Sequence, residues 1–179
     1  RSLQDGVRLF DANGDGVPEV HDRGEDVAGA VFGSAPPAPG RLLDIDGDGQ
    51  AESVSATSIF SFAEGKWSTS PVKIPEGVRP RHAGTRFADL DGDRDLDIIV
   101  STHDQQFIYR FEPGKPGWVK QFGGQRKSFG EELQIPLFVR KDGTNNGAWL
   151  ARGRVFWQNE DVGRGQAQVI KRSFGELMK

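Results

Sequence analysis

Apolar residues along this chain form short runs, and polar residues, glycine or proline interrupt them every few positions. Runs at residues 7–10, 41–43, 58–62 and 98–100 hold three to five residues each, and several contain Val, Ile or Phe. Segments this short lack the apolar spacing of a helix, and β-branched and aromatic side chains favour strands. The pattern therefore predicts an all-β fold of short strands and turns.

Several of the predicted strands pair as hairpins, which begin at residues 58, 106 and 148. A further strand is predicted at residues 137–140, and the turn after it, at residues 141–147, has lost most of its acidic residues. We expect no strong cation site in that turn. The last stretch that resembles an element is residues 173–178, which predict a short helix.

Three of the other turns share one arrangement of oxygen-bearing side chains. Each has such a side chain at loop positions one, three, five and nine, whereas position seven varies. The loops begin at Asp11, Asp44 and Asp89, so their starts lie 33 and 45 residues apart. This spacing of oxygens wraps a short loop around one hard cation. Periods of this length are typical of repeat and propeller architectures.

The acidic residues of these loops need a cation to lie close together. Two carboxylates about 4 Å apart repel each other by roughly 4 kcal/mol at an effective dielectric constant near 20. The loop that begins at Asp89 brings four carboxylates together. Calcium accepts many oxygen ligands in a flexible shell. The loops therefore predict Ca²⁺ as the cofactor, with two or three ions in the chain.

Two other interpretations of the loops fit the residues less well. An EF-hand needs a bidentate Glu at position twelve and a helix on each side. Position twelve is Asp22, Ser55 or Val100, and the flanking segments predict strands, with the ninth residue already in the outgoing strand. A plain Asp-Gly turn explains one loop, because both residues are common in turns. It does not explain an acid at position nine in all three loops.

With an apolar residue before each loop and a strand after it, the loops resemble FG-GAP/VCBS repeats, the calcium-loop blades of integrin-type β-propellers. The resemblance implies four-stranded blades in which the loop joins two strands. It also implies that the backbone carbonyls of Val17, Gln50 and Asp95 complete the three shells. The implied side-chain ligands are Asp11, Asn13, Asp15 and Glu19 in the first loop, Asp44, Asp46, Asp48 and Glu52 in the second, and Asp89, Asp91, Asp93 and Asp97 in the third.

Two residues depart from the shared pattern. Arg94 stands where the other loops have Gly16 and Gly49, at a position whose backbone conformation glycine adopts most easily. We therefore expect the third loop to be slightly remodelled. Asn13 replaces an acid, which removes one charge and predicts a weaker first site.

The resemblance divides the chain into four blades and a tail. Propellers close with about four to eight blades. The chain is therefore interpreted as part of a larger, seven-bladed propeller in a longer parent chain, or as an irregular four-bladed unit. The blades are expected at residues 1–40, 41–80, 81–126 and 127–158, and the tail at 159–179.

Composition excludes several kinds of site. The chain has no cysteine, so disulfides, zinc–thiolate sites and c-type haem attachment are impossible within it. Its net charge of −3 does not indicate nucleic acid, and no apolar run is long enough to span a membrane. The histidines His21, His82 and His103 lack the spacing of metal ligands, and no catalytic motif is present.

The expected function is a non-catalytic binding or scaffold module of a larger secreted protein, located outside the cell or in the periplasm. Its expected partners are other domains of the parent chain, an extracellular protein or a glycan. The alternative is an accessory domain of a secreted enzyme, either carbohydrate-active or sorbosone-dehydrogenase-like. Residues 142–149, 157–161 and 172–174 resemble stretches of large secreted bacterial proteins that pair such a dehydrogenase-like propeller with a c-type haem domain.

Overall fold

The computed structural model describes residues 8–10, 19–21, 36–38, 40–151, 153–158 and 170–177. These residues form antiparallel sheets, which confirms the predicted all-β class. Two short 3₁₀ turns and one helical turn, α1 (Phe174–Leu177), accompany the sheets. The strands are β1 (Arg8–Phe10), β2 (Glu19–His21), β3 (Arg41–Leu43), β4 (Glu52–Val54), β5 (Ile59–Ala63), β6 (Lys66–Thr69), β7 (Thr85–Ala88), β8 (Asp97–Ser101), β9 (Gln105–Glu112), β10 (Gly117–Gln125), β11 (Ala148–Ala151), β12 (Arg154–Trp157) and β13 (Ile170–Ser173).

The chain divides into two compact units, Arg1–Glu76 and Gly77–Lys179. The first unit contains the pair β1–β2 and a four-stranded sheet in the order β3-β4-β5-β6. The second contains a four-stranded sheet in the order β10-β9-β8-β7 and a three-stranded sheet in the order β11-β12-β13. Within the described residues, no helix combines the length and the apolar character that a membrane crossing requires.

In both four-stranded sheets an acidic loop joins the first strand to the second. Leu43 pairs with Glu52 across one loop, and Ala88 pairs with Asp97 across the other. The ninth loop residue is therefore the first residue of the outgoing strand, as the sequence predicted. We call these connections the 44–52 loop and the 89–97 loop.

The second residue of each loop is apolar and anchors the loop in the interior. Ile45 is 1% exposed and Leu90 is 9% exposed. In the second unit, Leu90 belongs to a core that also contains Ile99 and Ile108 of the four-stranded sheet. Val155 of the three-stranded sheet packs in the same core, so the two sheets of this unit share their interior. Leu90 thereby anchors the 89–97 loop in the hydrophobic core of the second unit.

The strand predicted at residues 137–140 is wrong. Only Val139 makes a bridge, to Asn145, and the N–H of Asn146 donates to the carbonyl of Phe138 at 3.1 Å. Phe138 itself is fully buried in the core of the second unit. Val139 packs against the same core, so this segment contributes two apolar side chains to the interior and no strand to a sheet.

The three-stranded sheet takes its last strand from the region expected to be a tail. β13 pairs with β12 in the register Trp157↔Ile170, and α1 follows it directly. The short helix predicted near the end is therefore confirmed as a single turn. Phe174 is 2% exposed and its N–H donates to the carbonyl of Gly153, which docks the turn on the β11–β12 hairpin.

Candidate metal centre

Each described acidic loop brings three carboxylates together. One oxygen from each member of the triad lies within 4.8 Å of the others, a geometry that can hold a metal ion. The first eight residues of the first predicted loop, residues 11–18, lie outside the described residues, and its ninth residue, Glu19, begins β2. The triads are Asp44, Asp46 and Asp48 in the 44–52 loop and Asp89, Asp91 and Asp93 in the 89–97 loop.

The two loops share the same hydrogen-bond frame. In each, the backbone N–H groups at positions five, six and seven donate to the carboxylates at positions three, one and five. These bonds measure 3.4, 3.1 and 2.7 Å in the 44–52 loop. They measure 3.4, 3.2 and 3.1 Å in the 89–97 loop. Because each carboxylate uses an oxygen to close the loop, the triad is held in place by the backbone itself.

The ninth-position acids are buried and accept backbone hydrogen bonds. The N–H of Ile45 donates to Glu52 at 3.0 Å, and the N–H of Leu90 donates to Asp97 at 3.1 Å. Asp97 also accepts the N–H of Phe111, on β9, at 2.8 Å. The sequence predicted these acids only as cation ligands. In the structure they tie the loop to its sheet, and the clustered triads do not include them.

Burial keeps several of these carboxyl groups from ionising readily. It raises the pKa of Glu52 to about 8 and that of Asp97 to about 6. Burial is also the main cause of the raised pKa of Asp44, Asp46 and Asp91, and the neighbouring carboxylates add to it. A cation bound among these groups would favour their ionised forms. A bound cation would therefore lower the pKa of these carboxyl groups and stabilise the carboxylates in both loops.

One oxygen of the 44–52 loop is buried without a partner. Asp44 Oδ1 has no hydrogen-bond donor among the described residues, whereas Asp44 Oδ2 accepts the N–H of Gly49. A buried polar atom left unsatisfied costs about 1–3 kcal/mol, and more when it carries charge. A cation held by the triad would satisfy this oxygen, so the residues of this loop fit a bound metal ion.

The backbone of both loops passes twice through the left-handed region. Gly47 and Gly49 have φ values of 68° and 92°, and the equivalent Gly92 and Arg94 have φ values of 91° and 81°. The remodelling expected from Arg94 is not seen, because the hydrogen-bond frame is the same in both loops. Arg94 instead adopts the conformation that glycine adopts more easily.

Replacing Arg94 with Gly is expected to stabilise the protein. An L-residue in the left-handed region costs roughly 1–2 kcal/mol, and part of this gain is lost to the greater freedom of Gly in the unfolded chain. We expect Arg94→Gly to raise the free energy of unfolding by about 0.5–1 kcal/mol in urea titrations. Arg94→Ala is the matched control, because it removes the same charge and keeps the Cβ. A gain of equal size in both variants would contradict this explanation.

The turn at residues 141–147 is closed by side-chain hydrogen bonds to the backbone, as the acidic loops are, but with fewer carboxylates. Asp142 accepts bonds from the N–H of Thr144 at 2.9 Å and from its hydroxyl at 2.7 Å, and these bonds lower the pKa of Asp142. Asn145 accepts the N–H of Gly147 at 2.8 Å. This turn is therefore closed by one carboxylate and one side-chain amide, whereas each acidic loop is closed by three carboxylates.

Comparison of this chain with known protein families, with curated proteins and with solved structures finds no match. The function is therefore inferred from the geometry of the two loops. The two Asp triads offer carboxylate oxygens that could hold a metal ion at strand connections. The identity of that metal follows from the chemistry of these oxygens.

Proposed function

We propose that this chain is a calcium-binding module of β-propeller blades, which acts as a non-catalytic binding or scaffold domain of a larger secreted protein. The observation that carries the proposal is that each of the two loops holds a carboxylate triad with the same pattern of backbone hydrogen bonds. The buried, unpartnered oxygen of Asp44 supports it independently, because a cation would satisfy that atom.

Calcium suits these loops better than other common metals. The ligands are all oxygens, and the chain has no cysteine. Zinc prefers nitrogen and sulfur in tetrahedral sites, and magnesium requires nearly ideal octahedral geometry. Calcium accepts six to eight oxygens in a flexible shell. In each loop the clustered triad would provide the first ligands, and the ninth acid and the carbonyl of Gln50 or Asp95 are proposed to complete the set.

The proposed role of the ion is structural. Each triad lies on the connection between two strands, and the ninth acid is already the first residue of a strand. An ion there would fix the connection and leave the faces of the sheets for partners. Extracellular calcium modules bind with a Kd of about 10⁻⁴ to 10⁻³ M. That affinity suits a location outside the cell or in the periplasm, where calcium is abundant.

The proposed partners are other domains of a parent chain, an extracellular protein or a glycan. Trp149 favours a binding surface in the second unit, since it is 44% exposed and is the most exposed large apolar side chain among the described residues. Its ring stacks on that of Phe156 with the planes 12° apart. An exposed flat ring of this kind is common at interfaces, because it buries a large area when it is covered.

Calorimetric titration with calcium tests the proposal. Protein stripped with EDTA is expected to bind Ca²⁺ at two or three sites. Asp46→Asn combined with Asp48→Asn should remove one site, and Asp91→Asn combined with Asp93→Asn should remove another, because each pair leaves only one carboxylate in its triad. Asp104→Asn, which lies outside the loops, is the control. Binding that survives in all the loop variants, or is absent from the native chain, would refute the proposal.

A further inference from the structure

The 89–97 loop has a positive charge of its own, provided by Arg110 of β9. The guanidinium Nη2 lies 2.5 Å from Asp91 Oδ2 and 3.5 Å from Asp93 Oδ2. The other oxygen of each carboxylate accepts a loop N–H, from Asp93 and from Asp95 respectively. Both carboxylates are therefore fully paired, each to one backbone amide and to the same guanidinium.

Asp89 completes this arrangement. Its two oxygens accept the N–H groups of Gly92 at 2.6 Å and Arg94 at 3.2 Å. Every carboxylate oxygen of the triad in the 89–97 loop thus has a partner within the chain. Arg110 bridges two of the three carboxylates, so its positive charge reduces the repulsion within the triad.

The 44–52 loop has no equivalent cation. Asp44 Oδ1 is unpartnered, and no basic side chain among the described residues pairs with Asp46 or Asp48. Their only hydrogen bonds are those to the loop amides of Asp48 and Gln50. The two loops therefore share a backbone frame and differ in their source of positive charge.

Strand register identifies the residue that makes this difference. Ile98 and Ser53 each follow the ninth loop acid directly, and they pair with Tyr109 and Phe60 respectively. When this register is continued by one residue, the residue after Tyr109 or Phe60 lies opposite the ninth loop acid. That residue is Arg110 beside the 89–97 loop and Ser61 beside the 44–52 loop.

We propose that Arg110 is a built-in counter-ion that competes with the divalent cation for the 89–97 loop and sets its affinity below that of the 44–52 loop. This inference rests on the proposed calcium function. An ion entering the 89–97 loop must displace the guanidinium or bind against its repulsion, whereas an ion entering the 44–52 loop meets no basic side chain among the described residues. The 89–97 loop therefore keeps its form at low calcium, and the 44–52 loop depends on the ion.

Arg110→Gln tests this inference, because Gln keeps a polar side chain and removes the positive charge. Calcium affinity is measured by calorimetry in a chain whose other loops are silenced by Asp11→Asn, Asp15→Asn, Asp46→Asn and Asp48→Asn. We expect Arg110→Gln to tighten binding at the 89–97 loop by on the order of tenfold. Arg154→Gln, an exposed strand arginine of the same unit, should leave the affinity unchanged.

The reciprocal variant uses the 44–52 loop. Ser61→Arg, with the other loops silenced by Asp11→Asn, Asp15→Asn, Asp91→Asn and Asp93→Asn, should weaken calcium binding by a similar factor. Thermal melting in EDTA provides a second readout, in which Arg110→Gln should melt at a lower temperature than the native chain. This loss is expected because the variant leaves two carboxylates without their counter-ion.

The outcomes separate the inference from the function on which it rests. If the 44–52 loop binds calcium and Arg110→Gln changes the affinity of the 89–97 loop by less than twofold, the counter-ion role is overturned while the proposed function stands. If neither loop binds calcium in the native chain, both ideas fail together. Tighter binding in Arg110→Gln and weaker binding in Ser61→Arg would establish the role.

Discussion

Removal of calcium is expected to lower the melting temperature by about 10–20 °C. For a site with a Kd of about 10⁻⁴ M, 10 mM calcium is a 100-fold excess, which stabilises the folded state by about 2.7 kcal/mol. The two described loops together would then contribute about 5 kcal/mol, and each kcal/mol shifts the melting temperature of a chain of this size by about 2–4 °C. Melting curves in 10 mM calcium and in EDTA measure the difference directly.

The size of this difference should depend on pH. Glu52 has a folded-state pKa raised from 4.5 to about 8, so in the metal-free protein its carboxyl group opposes folding increasingly as pH rises through that range. Asp97 acts in the same direction between 3.8 and about 6. Calcium binds the ionised forms and reverses this trend. The gap between the calcium and EDTA melting temperatures is therefore expected to be wider at pH 8 than at pH 6.

The control for chelation is EDTA already saturated with calcium, which should leave the melting temperature where free calcium sets it. A chain with Asp46→Asn and Asp48→Asn should show a smaller calcium shift than the native chain, because only the 44–52 loop is lost. Equal melting temperatures in calcium and EDTA would rule out a structural ion in either loop. An equal shift with magnesium at the same ionic strength would remove the argument for calcium.

The acidic loops were predictable because their information is local. Nine consecutive residues supply the carboxylates, and the amides that close the 44–52 loop come from the same stretch, as with Gly49 and Asp44. The flanking strands were predictable for the same reason, since Ile98 and Ile99 follow Asp97 without interruption. Where sequence spacing alone sets the geometry, the sequence is sufficient.

The segment at residues 133–136 was not predictable in this way. Buried side chains from β8 and β9 hold it, and no strand ladder does. Ser101 donates to the carbonyls of Ile135 and Pro136 at 3.1 and 2.8 Å. Gln106 accepts the N–H of Ile135 at 2.9 Å and donates to the carbonyl of Leu133 at 3.1 Å. These partners are about thirty residues away in the chain, so the apolar pattern near residue 137 predicted a strand where the structure has an irregular segment.

Arg110 was missed for a related reason. It lies on the third strand of its sheet, and its proximity to Asp91 follows only from the pairing of β8 with β9. The sequence places a basic residue there without indicating which acid it faces. The two loops looked alike except for Arg94, whereas the larger chemical difference between them comes from the neighbouring strand.

Replacing Phe138 with Ala is expected to destabilise the second unit by about 3–5 kcal/mol, as is usual for a fully buried phenylalanine. Phe138 is 0% exposed and packs in the core shared by the β7–β10 and β11–β13 sheets. The guanidinium of Arg86 lies 5.1 Å from the centre of its ring, and the variant loses that contact as well. Urea unfolding of the native and variant chains in saturating calcium measures the loss.

The same variant should also weaken calcium binding, because Leu90 of the 89–97 loop belongs to the core that Phe138 completes. Phe138→Leu fills most of the volume and is expected to cost about 1–1.5 kcal/mol. Trp149→Ala removes a larger ring from the surface and should cost about 0.5–1.5 kcal/mol through its stacking on Phe156. If Phe138→Ala cost no more than Trp149→Ala, the two sheets would not share a core. The anchoring of the 89–97 loop through Leu90 would then need another explanation.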